Sequence, residues 1–272
     1  MGDYVSFRNV KFDSFLCGEG ILLEDLVIND TMKTFDDSVF CIHLQRQYSA
    51  SIELDDFMAS YAAKVKTANA VPNGVMMSEN IADSSDPVTQ KYLHALKRCL
   101  YNEHVLNESY MKQKIGRPVV FGDIIQLFHV KSQKYVTITN DQLAKEEREN
   151  MRIQLDAKGS PFSWIQLSPR YKIDKDGDNI LTNTELYLKV AERQNEFVHS
   201  SERETLPRLN KPKRKLLGST TMNMAAATTE FEDNEVDYSD GHIREVNCSL
   251  ENSSWRLAIF QSSTASMDKY LL

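Results

Sequence analysis

The chain has 272 residues, with 32 lysine and arginine side chains against 39 aspartate and glutamate side chains, so its formal net charge is -7. An acidic chain of this kind is not built to coat nucleic acid or an anionic membrane, and its 41% of hydrophobic residues is too high for a disordered protein. No apolar stretch approaches the roughly 18–20 residues that cross a bilayer, and charges at Asp3, Arg8, Lys11 and Asp13 leave no signal-peptide core. We therefore expect a soluble, globular protein that is not secreted.

Three blocks with strand character follow one another, at about residues 5–44, 119–167 and 171–260. Each block has an alternating strand, a short polar turn, a returning strand and an aromatic residue in a closing strand. The predicted first strands are 10–16, 124–130 and 186–190, the turns are 17–20, 131–134 and 191–196, and the returning strands are 21–23, 135–138 and 197–200. The closing aromatic residues are Phe40, Trp164 and Trp255.

These blocks have similar lengths once two insertions, residues 49–115 and 203–243, are set aside. A block of this size cannot bury its own hydrophobic face, so the three must share one core. We predict an all-β fold with a helical insertion, a β-trefoil of three pseudo-repeats in which one aromatic side chain per repeat fills the core. An irregular β-sandwich is the alternative.

The two insertions differ in kind. The first contains a short helix over about 54–66, a turn with Pro72-Asn73-Gly74, and a second helix that Asp86-Pro87 starts as cap residue and first helical residue. Leu93, Leu96 and Leu100 form its apolar stripe, and Gly116 marks its end. We predict a helical hairpin over 49–115. The second insertion has a basic half and an acidic half without periodicity, which predicts a disordered loop over 203–243.

An acidic segment between the second and third blocks matches a calcium-binding pattern. Asp174, Asp176, Asp178 and Glu185 stand at positions 1, 3, 5 and 12 of an EF-hand loop. Asn179 occupies the position where that loop needs glycine, and the preceding residues have strand character rather than helix character. The segment is therefore either a weak calcium site or a polar turn between two strands.

Other chemical signals are sparse. The basic run 211–215 resembles a nuclear-localisation or phosphate-binding patch, or it is a solvated charge run. Cys17, Cys41, Cys99 and Cys248 form no Cys-x-x-Cys pair, which predicts four reduced thiols in a non-secreted protein. No catalytic motif of a hydrolase, metalloprotease or nucleotide-binding protein is present in the sequence, so we do not predict an enzyme.

Several ordered segments together resemble a known family. They are NVKFDSFLCGEGILLEDLVIND, FGDIIQLFHVKSQKYVTI, NMRIQLDAKGSPFSWIQLSPRYKI and VNCSLENSSWRLAIF. The chain is similar over nearly its full length to the N-terminal domain of inositol trisphosphate receptor calcium-release channels, with the ryanodine receptors as the next nearest. Single strand–turn–strand units of this type, called MIR units, also occur in protein O-mannosyltransferases.

The resemblance implies a β-trefoil suppressor domain over 1–262 and a tail over 263–272 that starts a linker to a downstream domain. In that family the suppressor domain lowers the ligand affinity of the binding core that follows it in the same polypeptide. It also transmits the motion of that core through contacts with neighbouring subunits of a tetramer. The resemblance places such a domain on the cytoplasmic face of the endoplasmic reticulum or another calcium store, with no ligand-binding residues, nucleic-acid partner or membrane insertion of its own.

The family's coupling surface maps to the turn over 171–179. Tyr171 and Lys172 match the aromatic–basic pair at its start, whereas Asp174 and Asp176 make the turn more acidic than in the family. The resemblance therefore implies an inter-subunit role for these four residues. Two alternatives stay open, a self-contained calcium-binding module that uses loop 174–185 and a stand-alone MIR-type adaptor whose chain ends at Leu272.

Overall fold

The structure is a computed structural model that describes residues 1–20, 22, 24–30, 35–68, 86–205 and 242–261. Over these residues the chain forms two α-helices, α1 Ser49–Ala68 and α2 Pro87–Lys114, and two short 3-10 helices, Phe35–Ser38 and Pro161–Ser163. It also forms twelve strands within the same ranges: β1 Tyr4–Asn9, β2 Phe15–Glu19, β3 Asp25–Asn29, β4 Phe40–Leu44, β5 Ile124–His129, β6 Lys134–Leu143, β7 Met151–Asp156, β8 Ile165–Pro169, β9 Glu185–Val190, β10 Phe197–Glu204, β11 Ile243–Ser249 and β12 Ser254–Gln261. The prediction of a mainly β fold with a helical insertion is confirmed.

Most strand predictions of the second and third blocks are correct. The predicted strands 124–130 and 186–190 coincide with β5 and β9, and the returning strands 135–138 and 197–200 lie within β6 and β10. Each has alternating or continuous β-branched and aromatic residues, which favour a pleated and partly buried backbone.

The strand predicted over 10–16 is wrong over 10–14, because the chain turns there, and only residues 15 and 16 lie in a strand. The side-chain oxygen of Asn9 accepts hydrogen bonds from the backbone N–H groups of Lys11, at 3.0 Å, and Phe12, at 3.1 Å. Such an asparagine turn ends a strand, and Asp13 follows with φ 56°. Residues 17–20, predicted as a turn, therefore lie mainly in β2. In the predicted returning strand 21–23, Leu22 lies in a turn, and residues 21 and 23 lie outside the described residues.

Six strands pair into a closed antiparallel ring. β1 pairs with β4, β4 with β5, β5 with β8, β8 with β9, β9 with β12, and β12 returns to β1. Phe7, Leu127 and Leu188 from this ring are completely buried. A closed ring leaves its strands without free edges and gives their inward side chains one common core.

Three hairpins cover one end of the ring. They are β2–β3, β6–β7 and β10–β11, and they also pair with one another through β3–β7, β3–β11 and β7–β11. Each hairpin lies between two ring strands in the chain, so the same order of ring strand, hairpin and ring strand occurs three times.

Two of the three predicted core aromatic residues are buried. Phe40 in β4 and Trp255 in β12 are completely inaccessible to solvent. The prediction is wrong for Trp164, which is half-buried and donates its indole N–H to the backbone oxygen of Arg46 at 3.1 Å. Ile165 is the first inward residue of β8, and neighbouring residues in an extended chain point to opposite sides.

A buried carboxylate joins two of the hairpins. One oxygen of Glu147, in the loop between β6 and β7, accepts hydrogen bonds from the Ser201 hydroxyl at 2.8 Å and the Glu202 N–H at 3.0 Å. Its other oxygen accepts one from the Asn247 amide at 2.9 Å. The His199 imidazole Nε2 lies 3.9 Å away from this second oxygen. Glu147 therefore holds β10 and β11 to the hairpin β6–β7.

Two helices lie within the predicted insertion 49–115, although α1 is longer than the predicted helix over 54–66 and residues 69–85 lie outside the described part of the chain. The Asp86 carboxylate accepts the Val88 N–H at the start of α2, and Leu96 of the predicted stripe is buried. The helices run antiparallel, because Ser49 at the start of α1 donates its hydroxyl to Glu103 at 2.8 Å, whereas Phe57 further along α1 packs against Tyr92 near the start of α2.

Several predictions fall outside the described residues. These are the turn at 72–74, the basic run 211–215, most of the loop predicted over 203–243 and the tail over 263–272. At the margins of that loop, β10 continues to Glu204 and β11 begins at Ile243. All four cysteines are described, and they are free thiols as predicted.

Candidate interaction surface at the turn between β8 and β9

The residues predicted to mediate coupling lie in the segment 170–184, which connects β8 to β9. These strands pair antiparallel within the ring, with Pro169 opposite Leu186. Both ends of the segment are therefore fixed by the ring, and the segment projects from the place where the two strands end.

The middle of this segment, residues 177–180, is hydrogen-bonded to residues 119–121, which precede β5. Phe121 donates its N–H to the Asp178 oxygen at 3.0 Å and accepts the Gly177 N–H at 2.9 Å. Ile180, which is buried, donates its N–H to the Val119 oxygen at 2.9 Å. Gly177 has φ 95°, a conformation that glycine adopts readily. The turn is therefore held by backbone hydrogen bonds.

The start of the segment 170–184 is held by one carboxylate. One oxygen of Glu185 accepts hydrogen bonds from Arg170 Nη1 at 2.6 Å and from the Tyr171 hydroxyl at 2.7 Å, and the other accepts one from Arg256 Nη2 at 2.7 Å. The Arg170 guanidinium also lies 5.3 Å from the centre of the Tyr171 ring. We call these four residues the Glu185 clamp.

The clamp shifts the protonation equilibria of its members. The hydrogen bond from Arg256, followed by that from Tyr171, lowers the pKa of Glu185 below its ordinary value. The hydrogen bond that Tyr171 donates to this carboxylate raises the pKa of the tyrosine. Glu185 is therefore ionised and Tyr171 is a neutral donor near neutral pH.

The segment 170–184 exposes large apolar side chains to solvent. Tyr171 is 51% exposed, Ile173 is 83% exposed and Leu181 is 67% exposed. An aromatic side chain that is fixed in orientation and accompanied by exposed aliphatic side chains is typical of an interaction surface.

The structure brings together part of the predicted coupling set. Tyr171 and Asp174 line the same shallow depression as Glu185 and Arg256. Lys172 and Asp176 are both exposed, but Asp176 lies on the other side of the turn, where its Cγ would be 3.3 Å from a Cβ placed on Gly122.

The residues of the predicted calcium loop are not gathered around one point. The strands β8 and β9 flank the loop, so it is not a helix–loop–helix unit. Asp178 accepts the backbone N–H of Lys175 at 2.8 Å, while Glu185 is engaged with two arginines and a tyrosine. Within the described ranges, no group of three or more His, Cys, Asp and Glu side chains is arranged to hold a metal ion.

Sequence reasoning missed four residues of this surface, which are Arg170, Ile173, Leu181 and Arg256. Ile173 and Leu181 carry a readable signal, since both are large apolar residues within a polar turn. Arg256 carries none, because it lies 71 positions from Glu185 and only the pairing of β9 with β12 places it opposite.

Two sequence comparisons point to the same family as the sequence segments quoted above. Residues 1–234 match the family model described as inositol 1,4,5-trisphosphate/ryanodine receptor. Over 96 residues the chain is 35% identical to the inositol 1,4,5-trisphosphate receptor itr-1 of Caenorhabditis elegans, a match that covers 35% of this chain and 3% of that receptor. A solved structure of a Caenorhabditis elegans protein of unknown function aligns over 94% of this chain and 93% of its own, with 12% identity and a TM-score of 0.47.

Proposed function

The chain belongs to the inositol 1,4,5-trisphosphate/ryanodine receptor family, and from this premise we propose that it is the N-terminal regulatory domain of an inositol trisphosphate-gated calcium-release channel. In this role it is not an enzyme. It tunes the ligand affinity of a binding core that follows in the same polypeptide and passes the motion of that core to neighbouring subunits of a tetramer.

The fold proposed for this domain is a β-trefoil over residues 1–262. The six-strand ring, the three hairpins that cover it and the threefold recurrence of one strand order support this assignment. The helical hairpin α1–α2 is an insertion between β4 and β5.

The observation that carries the coupling role is the Glu185 clamp. It holds Tyr171 in a fixed orientation within a segment that also exposes Ile173 and Leu181. A contact that transmits motion between subunits has to be stiff, and three hydrogen bonds to one carboxylate provide that stiffness. We propose that a neighbouring subunit packs on Tyr171, Ile173 and Leu181, with Lys172, Asp174 and Asp176 contributing charge at the margin of the contact.

The proposed location is the cytoplasmic face of the endoplasmic reticulum or of another intracellular calcium store. In this proposal the chain operates there as part of a much longer polypeptide. The Caenorhabditis elegans receptor is such a polypeptide, because its match to this chain covers only 3% of its length. In the segments the structure describes, no helix combines the length and the apolar character needed to cross a membrane.

The coupling role is tested in a channel that carries this chain at its N-terminus. We expect Tyr171→Ala to retain ligand binding but to lower ligand-evoked calcium release about 10-fold, because coupling energies of 1–3 kcal/mol are typical between linked sites. Tyr101→Ala is the matched control, since Tyr101 is an exposed tyrosine of α2 away from the clamp. Calcium release equal to that of the unmodified channel would refute the coupling role of this surface.

The alternative role as a calcium-binding module has a direct test. We expect no binding heat when calcium is titrated into the 272-residue chain up to millimolar concentrations. The reason is that Glu185, which the EF-hand pattern needs as its bidentate ligand, is engaged with Arg170 and Arg256. Saturable heat that disappears in Asp174→Asn would establish the calcium site instead.

A further inference from the structure

Tyr171 has surroundings that suit a phosphorylated side chain as well as a free phenol. Its hydroxyl shares one oxygen of Glu185 with Arg170, and the other oxygen of that carboxylate holds Arg256. Two guanidinium groups therefore lie beside the tyrosine hydroxyl, and both are already engaged in binding an anionic group.

We propose that Tyr171 is a phosphorylation site for a protein tyrosine kinase, and that its phosphate takes Arg170 and Arg256 from Glu185. In this reaction the bond between the γ-phosphorus of ATP and its bridging oxygen breaks while the bond from that phosphorus to Tyr171 Oη forms. ADP leaves with the electron pair, and the phenolic proton passes to the base of the kinase.

The geometry favours capture of the arginines by the phosphate over retention by the carboxylate. A phosphorylated tyrosine carries about -1.5 to -2 charges near pH 7 and three acceptor oxygens, whereas a carboxylate carries one charge and two oxygens. Guanidinium groups bind phosphate in bidentate geometry. The new charge also repels Glu185, so the carboxylate loses two cations and the tyrosine hydroxyl at once.

Access to the hydroxyl is open. Tyr171 is 51% exposed and lies outside any strand or helix, in a turn whose hydrogen bond from Asp174 N–H to the Tyr171 oxygen is 3.2 Å long. Tyr101 is more exposed, at 67%, but lies in the interior of the 28-residue helix α2. A kinase can engage the turn without opening regular structure, whereas Tyr101 requires local unfolding of its helix.

The consequence for the channel rests on the proposed function. If the clamp stiffens an inter-subunit contact at Tyr171, a phosphate there rearranges the clamp and changes the charge of the surface that the neighbouring subunit meets. Phosphorylation and arginine capture are properties of the chain itself and do not depend on that role.

The first test is phosphate mapping. The 272-residue chain is incubated with ATP, Mg²⁺ and the catalytic domain of a non-receptor tyrosine kinase, and peptides are analysed by mass spectrometry. We expect phosphate on Tyr171, loss of that phosphopeptide in Tyr171→Phe and its retention in Tyr101→Phe. An unmodified Tyr171, with or without phosphate at other tyrosines, would overturn the proposal.

The second test measures capture of the arginines by phosphorus NMR of the phosphorylated chain. The second pKa of a phosphorylated tyrosine is about 6, and we expect it to be lower by about 1 unit beside two guanidinium groups. This shift should shrink in Arg256→Gln and in 1 M salt but persist in Arg148→Gln, where the arginine is an exposed residue of the β6–β7 loop. An ordinary pKa in the unsubstituted chain would show that the arginines stay with Glu185.

The two proposals fail separately. Phosphate mapping and NMR are performed on the isolated chain, whereas coupling is measured as calcium release by the assembled channel. If calcium release is unchanged in the Tyr171→Ala channel but phosphate is found on Tyr171 of the unsubstituted chain, only the coupling role is refuted. If calcium release falls in Tyr171→Ala but no phosphate is found on Tyr171, only the modification is refuted.

Discussion

At the scale of single residues, Glu147 shows how a buried carboxylate makes the stability depend on pH. Burial by itself would raise the pKa of Glu147, but the hydrogen bonds from Asn247, Ser201 and the Glu202 N–H outweigh it and lower the pKa below the ordinary value. A carboxyl group whose folded pKa is depressed stabilises the fold above its unfolded pKa, about 4.3, and loses this contribution as pH falls through the folded pKa.

We therefore predict that Glu147→Gln lowers the free energy of unfolding at pH 7 by about 1–3 kcal/mol, since buried donors lose a charged acceptor. As the pH falls from about 5 to about 3, the free energy of unfolding should decrease less in this variant than in the unsubstituted chain. Urea unfolding at a series of pH values measures both effects. Glu149→Gln, at an exposed position of the same loop, is the control, and an equal pH dependence in both variants would contradict the role of Glu147.

Alanine substitutions at two glycines distinguish the cost of backbone strain from the cost of steric overlap. Gly159 and Gly177 both have positive φ, at 67° and 95°. A Cβ on Gly159 would lie 2.6 Å from the Tyr48 hydroxyl oxygen, whereas one on Gly177 has no atom within 4 Å. We predict that Gly177→Ala costs about 1 kcal/mol from strain alone and that Gly159→Ala costs about 1–3 kcal/mol more from overlap. Thermal unfolding compares the two, and equal losses would show that Tyr48 moves aside freely.

At the scale of elements, the helical hairpin is attached to the ring by polar contacts. Asn107 of α2 accepts the Gln47 N–H and donates to the Gln47 oxygen, both at 2.9 Å. Arg46 donates its backbone N–H to the Gln126 side-chain oxygen of the ring strand β5 at 3.2 Å and its guanidinium to Glu108 of α2 at 3.4 Å. These contacts fix the start of α1 against both α2 and the ring.

Removal of the Asn107 amide should therefore loosen the hairpin without unfolding the ring. In Asn107→Ala we expect amide hydrogen exchange at the start of α1 to accelerate about 10-fold, which corresponds to about 1.4 kcal/mol for two lost hydrogen bonds. Exchange in β5 and β8 should not change. Asn102→Ala, at an exposed position of α2, is the control, and uniform acceleration in ring and hairpin would show that the two unfold together.

At the scale of the whole molecule, the ring closes only when the two ends of the described chain meet. β12 pairs with β1 and with β9, and Trp255 fills the core from β12 while its indole N–H donates to the Val198 oxygen at 3.0 Å. We predict that Trp255→Ala lowers the free energy of unfolding by about 3–5 kcal/mol in one cooperative transition. Trp164→Ala, at the half-buried position beside Arg46, should cost less than half as much, and similar losses in urea unfolding would contradict the difference in burial.

The sequence by itself determined the elements whose signals are local. Alternating residues predicted β5, β6, β9 and β10, and Asp86-Pro87 predicted the start of α2, because strand pleating and helix capping depend on residues a few positions apart. The family resemblance is also readable from the sequence, since it depends on ordered motifs along the chain. The turn at Asn9 was missed because an alternating pattern does not show where a short side chain bonds to the backbone instead of continuing the strand.

Only the tertiary structure decided which distant residues meet. Arg256 reaches Glu185 through the pairing of β9 with β12, and this contact turns the last residue of an apparent calcium motif into the centre of the Glu185 clamp. Trp164 lies outside the core because Ile165 takes the inward position of β8. The Arg256–Glu185 contact joins ring strands that lie far apart in the sequence, and the inward side of β8 is set by its pairing with β5 and β9, so both features form only once the ring has closed.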